Sequence, residues 1–279
     1  MAYKSLLTVL TDESLADGPL EHIGALAQAW DAHAMALCLG VDRTQTGYYT
    51  VGASTSILQD SIVRAAAEAE TLRKLAEARL GAQNIRWSVE EDVAQLLDLG
   101  RHVALHARFS DLVLLPQPYG DNRGIEVEAV VEAALFNAPA PILVVPDDST
   151  PLSAPDTVIV AWNESAESLA AIRAALPIMQ RAKQVRVVVI DPPQHGPERS
   201  DPGGMLSQML ARHGIHCEID VLSRTMPRIA DVLNRHAGDT NADMIVMGAY
   251  GHSRFREALL GGATRDMLEC ATVPVLMSR

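Results

Sequence analysis

Four glycines fall within fifteen residues, in the order Gly248-x2-Gly251-x9-Gly261-Gly262-x-Thr264. They follow the apolar run Met244-Ile245-Val246-Met247 and precede a helical pattern from Arg265 to Cys270. Glycine lets a backbone approach a ligand closely and takes positive φ at little steric cost. A glycine turn that opens a helix also presents bare N–H groups and the positive helix end to an anion. Met247, Gly248, Gly251, Gly261, Gly262, Ala263 and Thr264 therefore form a candidate cradle for a polyphosphate. Ser253 and Thr264 add hydroxyls, and Arg254, Arg256 and Arg265 add guanidinium groups that can clamp phosphate oxygens in pairs. Any one of these glycines also fits a tight turn or a close packing contact; it is the spacing as a set that points to a ligand.

Chemistry beyond binding finds little support in the same residues. His252 stands beside Ser253, but adjacency in sequence does not make a base and a nucleophile, and no third group is placed to orient them. No Gly-x4-Gly-Lys-Ser/Thr segment is present, and hydrolysis needs a positioned water, charge neutralisation and usually Mg²⁺. No catalytic residue is assigned. Two histidine pairs, His102 with His106 and His213 with His216, lack a third ligand, so no metal site is assigned either. Trp162, at a strand end, can stack on a base or simply pack.

The elements that must position these residues come from an internal repeat, which has to be sought before any site is read. Leu6–Ser14 aligns with Thr157–Ser165, an apolar run closing in a polar cluster, and each is followed by a helical pattern, roughly Gly18 to Ala32 and Ala166 to Ala182. Ser165 is available as a helix N-cap. Second strands, Ala34–Asp42 and Val185–Asp191, each end in aspartate. The correspondence resumes at Ser110–Leu115 against Ala242–Met247 and closes with Pro141–Val145 against Pro274–Met277. Third strands are predicted at Ile85–Val89 and Cys217–Val221, and a helix from Ile62 to Leu80. Alternation of near-continuous apolar strands with helices predicts a parallel sheet covered on both faces. Each half thus reads as a five-stranded, Rossmann-like, doubly wound α/β domain. The breaker-rich stretch Pro146–Pro155 places the boundary near residue 150, giving domains 1–149 and 150–279.

The glycine spacing, set after a buried strand and before a closing Val-Pro-Val-Leu strand, resembles the ATP-binding pattern of the universal stress protein family. The whole chain follows that family's plan and is similar to its tandem members. The resemblance implies a sheet order of 3-2-1-4-5, an ATP ligand with or without Mg²⁺, and a role in the stress response. Ligands of doubly wound sheets bind at the switch point, here flanked by the loops after the first and fourth strands. The family's acidic residue after strand one, which touches the adenosine, is matched by Asp12 in the first half and Asn163 in the second. The strand-two end, Val189-Ile190, would lie beside the base and ribose. The family pattern has Ser or Thr directly after the third glycine; this chain has Gly262, and Thr264 or Ser253 can stand in. In the first half Pro116-Gln117-Pro118-Tyr119 replaces the first glycine pair, and the later pair falls on about Ala129 and Val130. Proline has no N–H to give a phosphate, so that half is expected to have lost the cradle.

Composition bounds the alternatives. With 279 residues the chain is long enough for two domains. Its 23 basic and 35 acidic residues give a net charge of −12 without a basic run, so nucleic acid is a poor partner. No apolar run reaches the roughly 18 residues of a membrane helix, and the three scattered cysteines fit a reducing compartment, so a cytoplasmic location is expected. Three functions stay open: an adenine-nucleotide-binding regulatory protein, a slow ATPase using His252 and Arg254, and a scaffold in which nucleotide is incidental. The resemblance further implies pairing of the two halves through their last strands, Ile142–Val145 and Val275–Met277, with a homo-oligomer as a further possibility.

Overall fold

Strand β1 (Ser5–Leu10) is buried along nearly its whole length because its side chains on both faces are apolar or small. The same holds for β4 (Leu112–Pro116), β5 (Ile142–Val145) and β9 (Met244–Gly248). The computed structural model describes residues 2–44, 55–121, 123–192, 201–249 and 262–279. Within these the chain divides into two compact units, residues 3–140 and residues 141–279 together with the first two residues.

In the first unit β1 leads through a short 3-10 turn (Glu13–Leu15) into α1 (Asp17–Trp30). There follow β2 (His33–Asp42), α2 (Thr55–Gly81), β3 (Arg86–Gln95), α3 (Leu99–Ala107), β4 and α4 (Ile125–Asn137). The strand order is β3-β2-β1-β4, all parallel. Helix α2 lies so close to β2 that a Cβ on Gly40 would stand 1.8 Å from the Ala65 carbonyl oxygen. Strand β3 runs beyond its predicted end at Val89 to Gln95, since ten residues of β2 offer a continuous ladder partner. That pairing overrides the low strand propensity of Glu90-Glu91-Asp92.

The second unit contains β5, β6 (Thr157–Ala161), α5 (Ala166–Met179), β7 (Gln184–Ile190), α6 (Gly204–Arg212), β8 (Cys217–Leu222), α7 (Ile229–Thr240), β9, α8 (Ala263–Cys270) and β10 (Val275–Ser278). Strands β8-β7-β6-β9-β10 run parallel in the expected 3-2-1-4-5 order, and β5 adds to the β10 edge antiparallel, with Val275 opposite Val144 and Met277 opposite Ile142. The sheet order along each half is the expected 3-2-1-4-5, and the one departure from parallel pairing is the antiparallel β5–β10 contact. By contact β5 groups with the second unit, which then holds six strands and the first four. An open edge strand is an aggregation template; β5, four apolar residues long, covers the β10 edge. For the same reason the compact division falls at Ala140, ahead of the Pro146–Pro155 linker.

One hydrogen-bonding device appears in both units. Asp111, just before β4, accepts from the backbone N–H groups of Lys4 and Ser5 at 2.7 and 2.9 Å. Asp243, just before β9, accepts from those of Asp156 and Thr157 at 2.6 and 2.8 Å. Each aspartate ties the start of its fourth strand to the start of the first.

Candidate functional site

In the second unit, β6 lies between β7 and β9, with Ala161 opposite Val188 on one side and Met247 on the other. The carboxyl ends of these three strands bring together Trp162, Asn163, Val189, Ile190, Met247 and Gly248. Chain connections reverse direction at β6, which makes this edge the switch point where doubly wound sheets bind ligands. Val189 and Met247 are buried, whereas Asn163 is exposed. The Trp162 backbone N–H donates to Val188 O at 2.9 Å, and its indole N–H, buried, has no hydrogen-bond partner among the described residues. Asn163 Oδ1 accepts from the Ser165 N–H at 3.2 Å, and Ser165 caps α5 by accepting from the Ser168 N–H at 3.0 Å. A Cβ on Gly248 would stand 2.4 Å from the Ser168 nitrogen, so glycine is needed there for α5 to approach β9. Gly262 is the N-cap of α8, in extended conformation (φ −93°, ψ 157°), with Ala263 first and Thr264 second in the helix. Gly251, His252, Ser253, Arg254, Arg256 and Gly261 lie outside the described residues.

The corresponding edge of the first unit carries a cleft of about 410 Å³, lined by Asp12, Glu13, Arg43, Arg64 and Glu68 among others. Asp12 Oδ1 accepts from the N–H and hydroxyl of Ser14 at 2.8 and 2.7 Å, the same turn that Asn163 makes with Ser165. At the end of β2 the buried Asp42 accepts from Ser61 Oγ at 2.6 Å, from the Thr44 N–H at 3.0 Å and from the Thr44 hydroxyl. Burial by itself would push this carboxyl up, but the Ser61 and Thr44 hydrogen bonds outweigh it and hold it below the usual carboxylate range. Arg43 pairs with Glu126 at 2.5 Å and with Glu68 at 3.1 Å.

Helix α4 begins at Ile125 with Gly124 as its N-cap (φ −74°, ψ 158°), the conformation of Gly262 before α8. Each helix ends five residues before its closing strand, Asn137 before Ile142 and Cys270 before Val275, so Gly262 falls opposite Ala129 as expected from sequence and Thr264 opposite Val131, while α4 starts five residues further toward its amino end than α8. Counting back from the closing strand lands inside α4, because that helix has 13 residues and α8 has 8. Ala129 and Val130 sit within α4, away from its amino end.

A sequence model of the Universal stress protein family matches residues 128–279. The chain belongs to the universal stress protein family. Universal stress protein Slr1230 of Synechocystis sp. (strain ATCC 27184 / PCC 6803 / Kazusa) is 26% identical over 95 residues, which span 34% of this chain and 32% of that protein. The match thus covers about a third of the curated relative's length. Among solved structures, a universal stress protein from Archaeoglobus fulgidus DSM 4304 superposes with a TM-score of 0.74 at 15% identity, over 99% of this chain and 96% of that one. The cytoplasmic domain of a prokaryotic cation chloride cotransporter superposes with a TM-score of 0.51 at 13% identity, over 99% and 96%. These likenesses establish the universal stress protein fold along the whole chain, with helices on both sides of mainly parallel strands. No described helix is long and apolar enough to cross a membrane.

Side chains outside the switch point account for the remaining sequence candidates. His102 Nδ1 lies 2.7 Å from Asp92 and His106 Nδ1 lies 3.8 Å from Glu90, so α3 lays its two imidazoles against carboxylates of β3. The sequence reading saw no acidic partner there, because β3 extends further than its pattern suggested. No group of three metal-ligating side chains is assembled among the described residues. Burial pushes the Cys38 thiol up to about 12, with Glu91 adding to it, and burial raises Cys217 and Cys270 as well. None of the three is a ready thiolate. Glu126 and Arg43 were missed. An acidic residue two places after a glycine, opening an apolar helical run, is a helix-start signal, but the ion pair it makes joins residues 83 apart in sequence.

Proposed function

We propose that this universal stress protein is an adenine-nucleotide-binding regulatory protein of the stress response, with ATP held by the second unit and no efficient chemistry of its own. The observation that carries the reading is the glycine spacing of the second half ending in Gly262 and Thr264 at the amino end of α8. That helix returns from the carboxyl edge of β9 toward β10, so its positive end belongs to the switch-point side of the sheet. Backbone N–H groups supply the anion site, which suits a chain whose overall charge of −12 repels polyphosphate. Trp162, with an indole N–H lacking a described partner, Asn163, Val189 and Ile190 supply a wall for the base and ribose, and Gly251, His252, Ser253, Arg254 and Gly261 complete the loop. The first and second halves are read as two copies of one domain, 1–149 and 150–279. The paired Asp111 and Asp243 devices and the Asp12 and Asn163 turns support this, and the β5–β10 ladder supports pairing of the copies through their last strands.

Denaturing the purified protein and identifying released small molecules tests the reading directly, with ATP calorimetry on the emptied protein as its complement. An adenine nucleotide, or a saturable ATP signal, is expected. Gly262→Val should abolish that signal while the far-ultraviolet spectrum stays unchanged, since the extended backbone at this position suits any residue. No nucleotide and no heat would reject the proposal.

A further inference from the structure

Helix α3 turns one side inward and leaves another uncovered. Leu99, Val103, Ala104 and Ala107 are buried, and the helix packs against α4. His102 and His106 are held by Asp92 and Glu90 of β3. On the remaining face Leu105 is 55% and Phe109 76% exposed, and Leu97, in the turn that enters the helix, is 92% exposed. Residues three or four apart on a helix are surface neighbours, so Arg101, Leu105 and Phe109 follow one another along a stripe, with Arg108 beside Leu105. Both arginines are exposed, and neither has an ion-pair partner among the described residues. Asp98, at the head of the helix, is exposed as well.

A single exposed apolar side chain is ordinary, but this face gathers several beside two unpaired guanidinium groups. The chain has only three phenylalanines, and it leaves one of them largely in water here. Aromatic side chains and arginine are the residues that protein interfaces enrich and that carry most of their binding energy. Helix α7, which joins the third strand to the fourth in the second unit as α3 does in the first, shows the contrast. Its exposed residues are Arg235, Gly238 and Asp239, and Arg235 lies 3.8 Å from the Asp239 carboxylate one turn on. No large apolar side chain of α7 is exposed.

We infer that this face of α3 is a docking surface for an acidic segment of a partner protein, whose large apolar side chains cover Leu105 and Phe109 and whose carboxylates meet Arg101 and Arg108. Charge decides among the occupants. A second copy docking through the same patch would set arginines against arginines, since a two-fold contact is self-complementary. An anionic membrane is drawn by dense clusters of Lys and Arg, and its extended surface would face the whole net charge of −12. A peptide segment meets the two local cations alone, because charges further than about 8 Å away are largely screened at physiological salt. The inference is independent of what the second unit binds.

The test is a titration of the full-length, 15N-labelled protein with a synthetic amphipathic helical peptide that carries leucines on one face and glutamates on its flanks. The same peptide with lysines in place of the glutamates is its counterpart. The amides of Arg101, Leu105, Arg108 and Phe109 report on the face, and those of Arg235 and Asp239 serve as controls on α7. The glutamate peptide should shift the first set saturably, at least about tenfold more tightly than the lysine peptide, and leave the controls unmoved. Arg101→Glu combined with Arg108→Glu should reverse the preference, and Leu105→Ser combined with Phe109→Ser should abolish the response to both peptides. All four side chains are exposed, so the rest of the spectrum should be unchanged; if the serine variant does not fold, the charge-reversed one decides. No saturable response in the wild type, equal affinity for the two peptides, or a preference that survives charge reversal would overturn the inference. So would concentration-dependent shifts of these amides without peptide, which mean self-association, or a response to phosphatidylserine vesicles in place of the peptide.

Discussion

Asp220, on β8, shows how a single polar side chain gains its role from neighbours distant in sequence. Its carboxylate accepts two hydrogen bonds from Arg186 of β7, at 2.7 and 2.8 Å, and lies 2.8 Å from His236 Nε2 of α7. Burial raises this carboxyl, but the hydrogen bonds from Arg186 and His236 outweigh burial and hold it below the ordinary carboxylate range. A carboxyl depressed in the fold binds fewer protons there than in the unfolded chain. Its contribution to stability is therefore complete above the unfolded value of about 3.9 and is lost as pH falls through the folded value. Asp220→Asn should cost about 1.5–3 kcal/mol in urea unfolding at pH 7, and the gap from wild type should narrow as pH is lowered below about 4. A pH-independent gap would mean that shape, not charge, sets the cost.

Helix ends and close packing govern the elements around the switch point. Ser165 was readable as the cap of α5 from sequence, and the structure shows that bond; Ser165→Ala should lower stability by about 1 kcal/mol in thermal or urea unfolding. Gly248 was read as part of the ligand loop, and packing adds a second demand, since its missing Cβ makes room for the amino end of α5. Gly248→Ala should therefore cost about 1–3 kcal/mol by overpacking, seen as a lower melting temperature with or without nucleotide. Gly262 is under no such backbone demand. Gly262→Ser should stabilise α8 by a few tenths of a kcal/mol as a better cap, and should tighten ATP binding in calorimetry if the proposed cradle is correct. The element pattern itself, strand and helix in alternation, was largely legible, because apolar periodicity survives in a single sequence. The full length of β3 was not, because it depends on the ladder offered by β2.

At the scale of the whole molecule, the strand that ends the first half belongs by contact to the second unit. β5 pairs with β10 over Ile142–Val144 and Val275–Met277. A fragment beginning at residue 150 would leave the β10 edge unpaired, whereas the full chain retains its cover. The fragment should dimerise or aggregate in size-exclusion chromatography. A monomeric fragment would show that the β10 edge needs no cover.

By itself the sequence determined the alternation of strand and helix, the universal stress protein resemblance and the glycine spacing of one half, because each is a local pattern of residue types. Only the tertiary structure decided which strand closes which sheet, why Gly248 is glycine, and that Ala129, opposite Gly262, lies in the interior of a longer helix rather than standing at its head. It also revealed Glu126 beneath Arg43. These depend on which backbones approach and which charges meet across many tens of residues. Pairing of that kind is set by packing and electrostatics in three dimensions and leaves no periodic trace along the chain.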